Sequence, residues 1–533
     1  MSFRQLLKAS LIALIAVLLV ACSSDSSSDS ESSSSDDSSS ETATGGEINI
    51  AYSAQPPVLD PQVGNAVITA EVMGHVFEPL LTTDSNYNIK PSLAESWEQS
   101  EDGLTITFKL REGVLFHNGE EMKAEDVVAS MNRWKDGPGG RGQFEDAEFV
   151  EVDEYTVELQ MEKPLSTALV AIAQGSSSFS AIMPKEVIEA ADPDTVHEFI
   201  GTGPFKFVEW KQDQYVHLTK FEDYVGIDEP ADGLFGKKEA LVDDLYFHFV
   251  LDPSTRVAGI QSGEYDIAHE VPYDSVDQLE SDQNIENQFL PGAGTLIAFL
   301  NKKEGRLFND VKAREALATL IDHEEMLHGA FTDERFYQLN HNMMMPHQEE
   351  LWYSDAGKDK YNVNDPEKAK QLFEEAGYNG ETVKIMTSRD YEFMYNAAVV
   401  LEQQLEAIGV NVELEVFDWA TLLSNMVDEN NYDYDINMVW LGYKPEPTAH
   451  HFLQKVVSGY TADPELDALR EKFESQPTLE EALPVYDELQ EWFYEYLPAI
   501  KIGDYSRIDA TRTSIDNYQF SDRMILWNVT NNK

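Results

Sequence analysis

A chain of 533 residues with a single cysteine, Cys22, can hold no internal disulfide framework and no cysteine-rich metal site. Basic residues are scarce too. Thirty-eight lysines and arginines stand against 97 aspartates and glutamates, a formal net charge of −59. A field of that sign repels phosphate backbones and anionic lipid surfaces, which argues against nucleic acid as a partner. Long apolar runs are missing as well: residues 11–21 are about half of the roughly 20 that a membrane-spanning helix needs. The chain has no internal repeat, and its one low-complexity segment follows Cys22.

Catalytic signatures are also absent. Residues 137–142, GPGGRG, are glycine-rich, but Gln143 and Phe144 stand where a phosphate loop needs lysine and serine or threonine. His323 and His328 are five apart, so they do not share a helix face as zinc ligands four apart do. Adjacent His450 and His451 are poorly placed for joint chelation on regular structure. Gly175-Ser176-Ser177-Ser178 lacks the second glycine of a nucleophile elbow. No nucleophile–base pair is legible, so no enzyme, cofactor or metal is expected.

What is present begins at the amino terminus. Arg4 and Lys8 precede the short apolar run, which fits the hydrophobic region of an export signal. The run ends in Leu19-Val20-Ala21-Cys22, which resembles the bacterial lipobox. That resemblance implies a signal peptide over 1–21 and a lipid on Cys22. Two or more acyl chains, each contributing about 0.8 kcal/mol per buried CH₂, anchor a soluble domain stably. Residues 22–45 are rich in serine, aspartate and glutamate, with almost no apolar side chain, and are expected to form an extended, disordered tether.

The remaining roughly 490 residues suffice for two or three compact lobes. Leu104, Ile106, Phe108 and Leu110 alternate with polar residues, which predicts a strand, and Glu112 and Gly113 predict a hairpin turn into Val114-Leu115-Phe116. Val157, Leu159 and Met161 repeat the alternation, and residues 124–134 have helical spacing. Asp365 and Pro366 mark a helix start, with Gly377 as its stop. A helix over 395–408 closed by Gly409 should precede a strand over 410–416, a helix capped by Asp418 and a strand over 436–440. Helices alternating with strands indicate an α/β lobe.

Several stretches resemble the large peptide- and nickel-binding class of solute-binding lipoproteins that serve ATP-driven (ABC) importers. They are VLDPQ (58–62), FEPLLTTD (77–84), residues 91–130 around TITFKLREGVLFHNGEEM, GTGPFKFVEW (201–210), GIQSGEYDIAHEVP (259–272) and DVKAREALATLIDHEEML (310–327). The resemblance implies a two-lobed periplasmic-binding-protein, or Venus-flytrap, fold. Lobe one would hold 46–295 plus 499–533, with an extra subdomain at about 82–189, and lobe two 296–498. The chain would cross near 292–301 and 496–504. The implied function is capture of a peptide or peptide-like solute outside the cytoplasmic membrane and its delivery, by a monomer, to a permease with its ATPase. A glutathione-like or opine-like compound or a metal chelate is the alternative ligand, and a surface-anchored hydrolase the alternative class.

The same resemblance places Trp419 and Trp440 on the aromatic lining of the cleft and Ser53, Ala54 and Gln55 along the ligand. Peptide binders of the class carry an aspartate three residues after the second tryptophan, where this chain has Tyr443. A tyrosine cannot replace a buried carboxylate facing an ammonium, and Lys444 beside it favours a carboxylate. Glu446 matches a loop-supporting acid-proline element. Arg389, before a helix, is a candidate anion contact.

Overall fold

A computed structural model describes residues 44–140, 142–427, 433–454, 459 and 461–533. Cys22, the apolar run at 11–21, the acidic serine tract and Arg141 lie outside the described residues. Among the described residues, no helix is long and apolar enough to cross a membrane.

Two long strands, Ile285–Leu300 and Ala499–Arg512, run antiparallel through the middle of an 11-stranded sheet. On one side Ile436–Leu441 pairs with Ile285–Leu300, and Thr382–Ser388 and Asn411–Phe417 follow outward. On the other side Ile267–Ala268 pairs with Ala499–Arg512, followed by Glu47–Tyr52, Asp244–Phe249, Tyr215–Lys220 and Phe205–Lys211. Residues 292–301 and 496–504 fall largely on the two long strands.

The long pair is not regular. Its register shifts between Leu290 and Gly294 and again between Leu296 and Ile297, and such bulges bend a sheet. The local sequence Pro291-Gly292-Ala293-Gly294 accounts for the first shift. Gly292 has φ +71, and a Cβ on Gly294 would come 2.4 Å from the Tyr505 hydroxyl. Only glycine fits both demands.

Two large hydrophobic clusters flank this sheet, and a third lies around a separate one. One contains Ile297, Leu317, Leu401, Ile436 and Phe493; a second contains Ile48, Phe77, Phe205 and Phe247. The third joins Leu80, Phe108, Val127, Trp134 and Ile172 around a separate four-stranded sheet, in the order Ala94–Gln99, Thr105–Leu110, Thr156–Met161, Ala147–Asp153. Helix Ala124–Asp136 covers that sheet through Val127, Met131 and Trp134.

The capping residues act as their types predict. The Asp365 side chain accepts from the Lys368 N–H, Pro366 opens helix Pro366–Glu375, and Gly377 takes φ +85 beyond its end. Asp418 accepts from Thr421 at the start of helix Trp419–Val427. Helix Glu392–Ala407 starts three residues earlier than its periodicity suggests, with Gly409 past its end at φ +91.

One expectation fails. The turn at Glu112 and Gly113 does not lead into a hairpin strand: Thr105–Leu110 pairs with Ala94–Gln99 and Thr156–Met161, and Leu115 makes only an isolated bridge to Glu121. With both edges of the strand already taken, the next segment has no ladder to join. His323 and His328 share helix His323–Phe331, but the first is buried and the second exposed.

Candidate functional site

Strands Thr382–Ser388, Asn411–Phe417 and Ile436–Leu441 run parallel, so their carboxyl ends lie together. In open α/β sheets that edge forms the ligand crevice. Tyr391 and Trp419 follow the ends of two of these strands, and Trp440 is near the end of the third. The Asp390 carboxylate ties the first two loops together by accepting from the Trp419 N–H at 2.7 Å.

The three rings form a corner. The indoles of Trp419 and Trp440 are nearly parallel, 13° apart with centroids 6.3 Å distant. Tyr391 stands edge-on to both, at 5.1 and 5.7 Å. All three are half-buried, and the Trp440 Nε1–H is enclosed without an acceptor.

The other half of the main sheet repeats the arrangement. Glu47–Tyr52 is parallel to Ile267–Ala268, and just past their carboxyl ends lie Ser53 and the pair His269-Glu270. The Ser53 hydroxyl donates to Glu270 Oε2 at 2.7 Å and lies 3.0 Å from His269 Nδ1. Ala54 packs on the second hydrophobic cluster, and Gln55 Oε1 accepts from the Asp213 N–H at 2.6 Å.

Beneath this loop is a buried charge network. Arg507 pairs with Glu71 at 2.9 Å and with Asp509 at 3.0 Å, Tyr52 donates to Glu71, and Tyr518 donates to Asp509 at 2.5 Å. Burial pushes the Glu71 carboxyl up despite Arg507, and burial holds His269 well below its ordinary range. The His269 ring is therefore neutral, stacked on Tyr52 at 3.9 Å.

Tyr443 stands elsewhere. It joins His347 and Tyr87 in a stack with centroids 4.6 to 6.0 Å apart. Its neighbour Lys444 offers its carbonyl to Gln348 at 2.9 Å, and its charge lowers the pKa of His450 and His451 after burial has done most of that work. Glu446 is fully buried and caps the following turn through the Thr448 N–H and hydroxyl. The exposed Arg389 lays its guanidinium 4.0 Å over the Tyr395 ring. The structure thus brings Trp419 and Trp440 together and leaves Tyr443 and Arg389 in separate surroundings. Tyr391 and Glu270 are additions that sequence reasoning passed over, although both sit inside stretches, TSRDYEF and AHEVP, that carry other signals.

Two half-sheets meeting along a pair of bent strands, with candidate residues at both sets of carboxyl ends, define a two-lobed binding-protein fold with an extra subdomain. Residues 88–460 match the model of the bacterial extracellular solute-binding proteins, family 5 (middle). The chain belongs to that family, and it is an extracytoplasmic solute-binding protein of the ABC importer type. A probable peptide ABC transporter periplasmic-binding protein from Sinorhizobium fredii is 30% identical over 493 residues, covering 89% of this chain and 91% of that protein. The glutathione-binding protein GsiB of Escherichia coli O1:K1 is 26% identical over 402 residues, 74% of each chain. The fold is also that of the ABC transporter substrate binding protein CtaP from Listeria monocytogenes, with TM-score 0.80, 23% identity, and coverage of 92% of this chain and 100% of that one.

Proposed function

We propose that this protein captures a peptide or peptide-like small solute in the cleft between Tyr391, Trp419 and Trp440 on one lobe and Ser53, Ala54, Gln55 and Glu270 on the other, and hands it to a permease. The observation that carries the reading is the opposition of two carboxyl-end edges across the bent strand pair. A solute touching both lobes favours the closed form by its differential affinity. Residues 46–295 with 499–533 form lobe one in this reading and residues 296–498 lobe two, and the boundary on the first long strand falls between its two register shifts. The subdomain is the unit built on the four-stranded sheet. Tyr443, Lys444 and Arg389, which stand apart from the aromatic corner, are proposed as outer contacts of the solute. The protein acts as a monomer and is held to the membrane by a lipid on Cys22.

Glutathione-like or opine-like solutes fit the same cleft, since no aspartate stands at Tyr443. Hydrolysis is the second reading, because Ser53, His269 and Glu71 lie in a row, with His269 Nε2 3.7 Å from Glu71. The Ser53 proton, however, already goes to Glu270, and Glu71 is committed to Arg507 and Tyr52. Incubation with a peptide library should yield no cleavage products.

The test is native mass spectrometry of the purified chain to identify what it carries, followed by titration of Trp440→Ala with that compound. A loss of tenfold or more is expected, as befits a stacked aromatic contact at the centre of a site. Unchanged affinity would remove Trp440 from the cleft.

A further inference from the structure

Glu270 is held in an unusual way. It has φ +50, a conformation that non-glycine residues seldom adopt and that the surroundings must enforce. Its N–H donates to Asp509 Oδ1 at 3.0 Å and its carbonyl accepts from Arg256 Nη2 at 2.8 Å. Both clamps are themselves buried. The result is a carboxylate presented outward, 52% exposed, from a backbone that cannot turn away.

This carboxylate has no lysine or arginine of its own among the described residues. Arg507 is committed to Glu71 and Asp509, and Arg256 spends its Nη atoms on the carbonyls of Val250, Leu251 and Glu270. Among the described residues no lysine or arginine forms an ion pair with Glu270. The ring 3.8 Å away, His269, is neutral. On the facing lobe, the cation of Arg389 rests on Tyr395.

Across the cleft stands the aromatic corner. Leu441 pairs with Thr295 on the first long strand and Ala268 with Ala510 on the second, so the loops after Trp440 and Ala268 both project toward the bulged middle of the pair; burial, and after it the Glu270 charge, pushes the Tyr391 phenol up. Parallel indoles with a phenol edge-on to both offer π faces to a positive charge, which draws about 0.5–2 kcal/mol from each such contact depending on solvation. A carboxylate opposite them supplies the counter-charge.

We propose that Glu270, Tyr391, Trp419 and Trp440 form a subsite for an organic cation, an ammonium or guanidinium group of the captured solute. This rests on the binding-protein reading above and names the chemistry it selects.

The test uses two isosteric pairs on the purified full chain: alaninamide against isobutyramide, and choline against 3,3-dimethylbutan-1-ol, followed by tryptophan fluorescence. Wild type should favour the charged member of at least one pair tenfold or more. Glu270→Gln should abolish that preference by weakening the cation alone, and Glu270→Asp should keep it. A neutral isostere bound as tightly as its cation, or a preference that survives in Glu270→Gln, overturns the proposal. X-ray scattering separates the two levels. If a co-purifying solute compacts the protein and Glu270→Gln binds it equally well, the cation subsite falls while the binding-protein reading stands. If neither co-purified solute nor probe binds, both fall.

Discussion

Tyr87 lies against Tyr443 with ring centroids 5.3 Å apart and planes 34° from parallel, joining the loop between Leu81–Thr83 and Ile89–Pro91 to the segment after Trp440. His347 completes the stack, 4.6 Å from Tyr87. The Ser166 hydroxyl and the Gln99 side-chain amide also donate to the carbonyls of Phe473 and Pro477, at 2.7 and 2.6 Å. These contacts join residues 87–166 to residues 347–477, which the proposed boundaries assign to different lobes.

Removing the stack should therefore favour the open form. An aromatic pair contributes about 0.5–1.5 kcal/mol beyond burial, so Tyr443→Ala is expected to weaken solute affinity roughly fivefold. Tyr87→Ala should do the same, and the double variant should fall short of the sum, because both lose one contact. Additive effects in titration of the three variants would show that the stack does not couple the lobes.

Lys501 and Asp504 form a buried ion pair at 3.0 Å on the second long strand, with 2% and 1% of their side chains exposed. Thr295, on the first long strand, donates to the same carboxylate, and Asn340 donates to it at 2.6 Å. Burial pulls the Lys501 pKa down, and Asp504 opposes that. Asp504→Ala would leave the ammonium in a low-dielectric site without its counter-charge, a change that typically costs about 3–5 kcal/mol. Urea denaturation should show a matching drop in midpoint. Replacing Lys501 and Asp504 together by apolar residues should cost less than Asp504→Ala alone.

His75 predicts acid sensitivity. It is fully buried; Nδ1 lies 2.8 Å from the Glu71 carbonyl, and Nε2 accepts from the Leu526 N–H at 3.2 Å, an arrangement that satisfies only the neutral ring. Burial first, then the Arg523 charge, lowers its pKa from 6.5 to about 3. Between those values the unfolded chain binds a proton that the folded chain refuses, so stability falls as pH drops from about 6.5 towards 3. The slope from this group is at most about 1.4 kcal/mol per pH unit. Denaturant titrations at several pH values should show a shallower slope in His75→Gln.

Cys22→Ala should abolish lipid attachment. Fractionation of cells grown with a labelled fatty acid is expected to show labelled wild type in membranes and an unlabelled variant that is soluble or unprocessed. Label retained on the variant would place the lipid elsewhere.

Local signals were legible because they depend on neighbours along the chain. Asp365 and Pro366 start a helix through bonds that span three residues, and alternation over 105–110 needs nothing beyond the strand itself. The hairpin after Gly113 misled because strand pairing is a long-range matter, decided here by residues 94–99 and 156–161. Trp419 and Trp440 could be singled out by type and by their stretches. Glu270 could not, since one glutamate among so many carries no mark in the sequence.

By itself, the sequence determined the acidic charge, the single thiol, the α/β alternation and the family stretches, all properties of composition or of short windows. Only the tertiary structure decided that Glu270 stands without a basic partner at a strand end and which rings lie opposite it. That choice depends on Arg256 and Asp509 clamping Glu270 in a left-handed turn while three distant loops converge at parallel strand ends. Distances across a fold depend on how the chain packs and cannot be deduced from spacing along it.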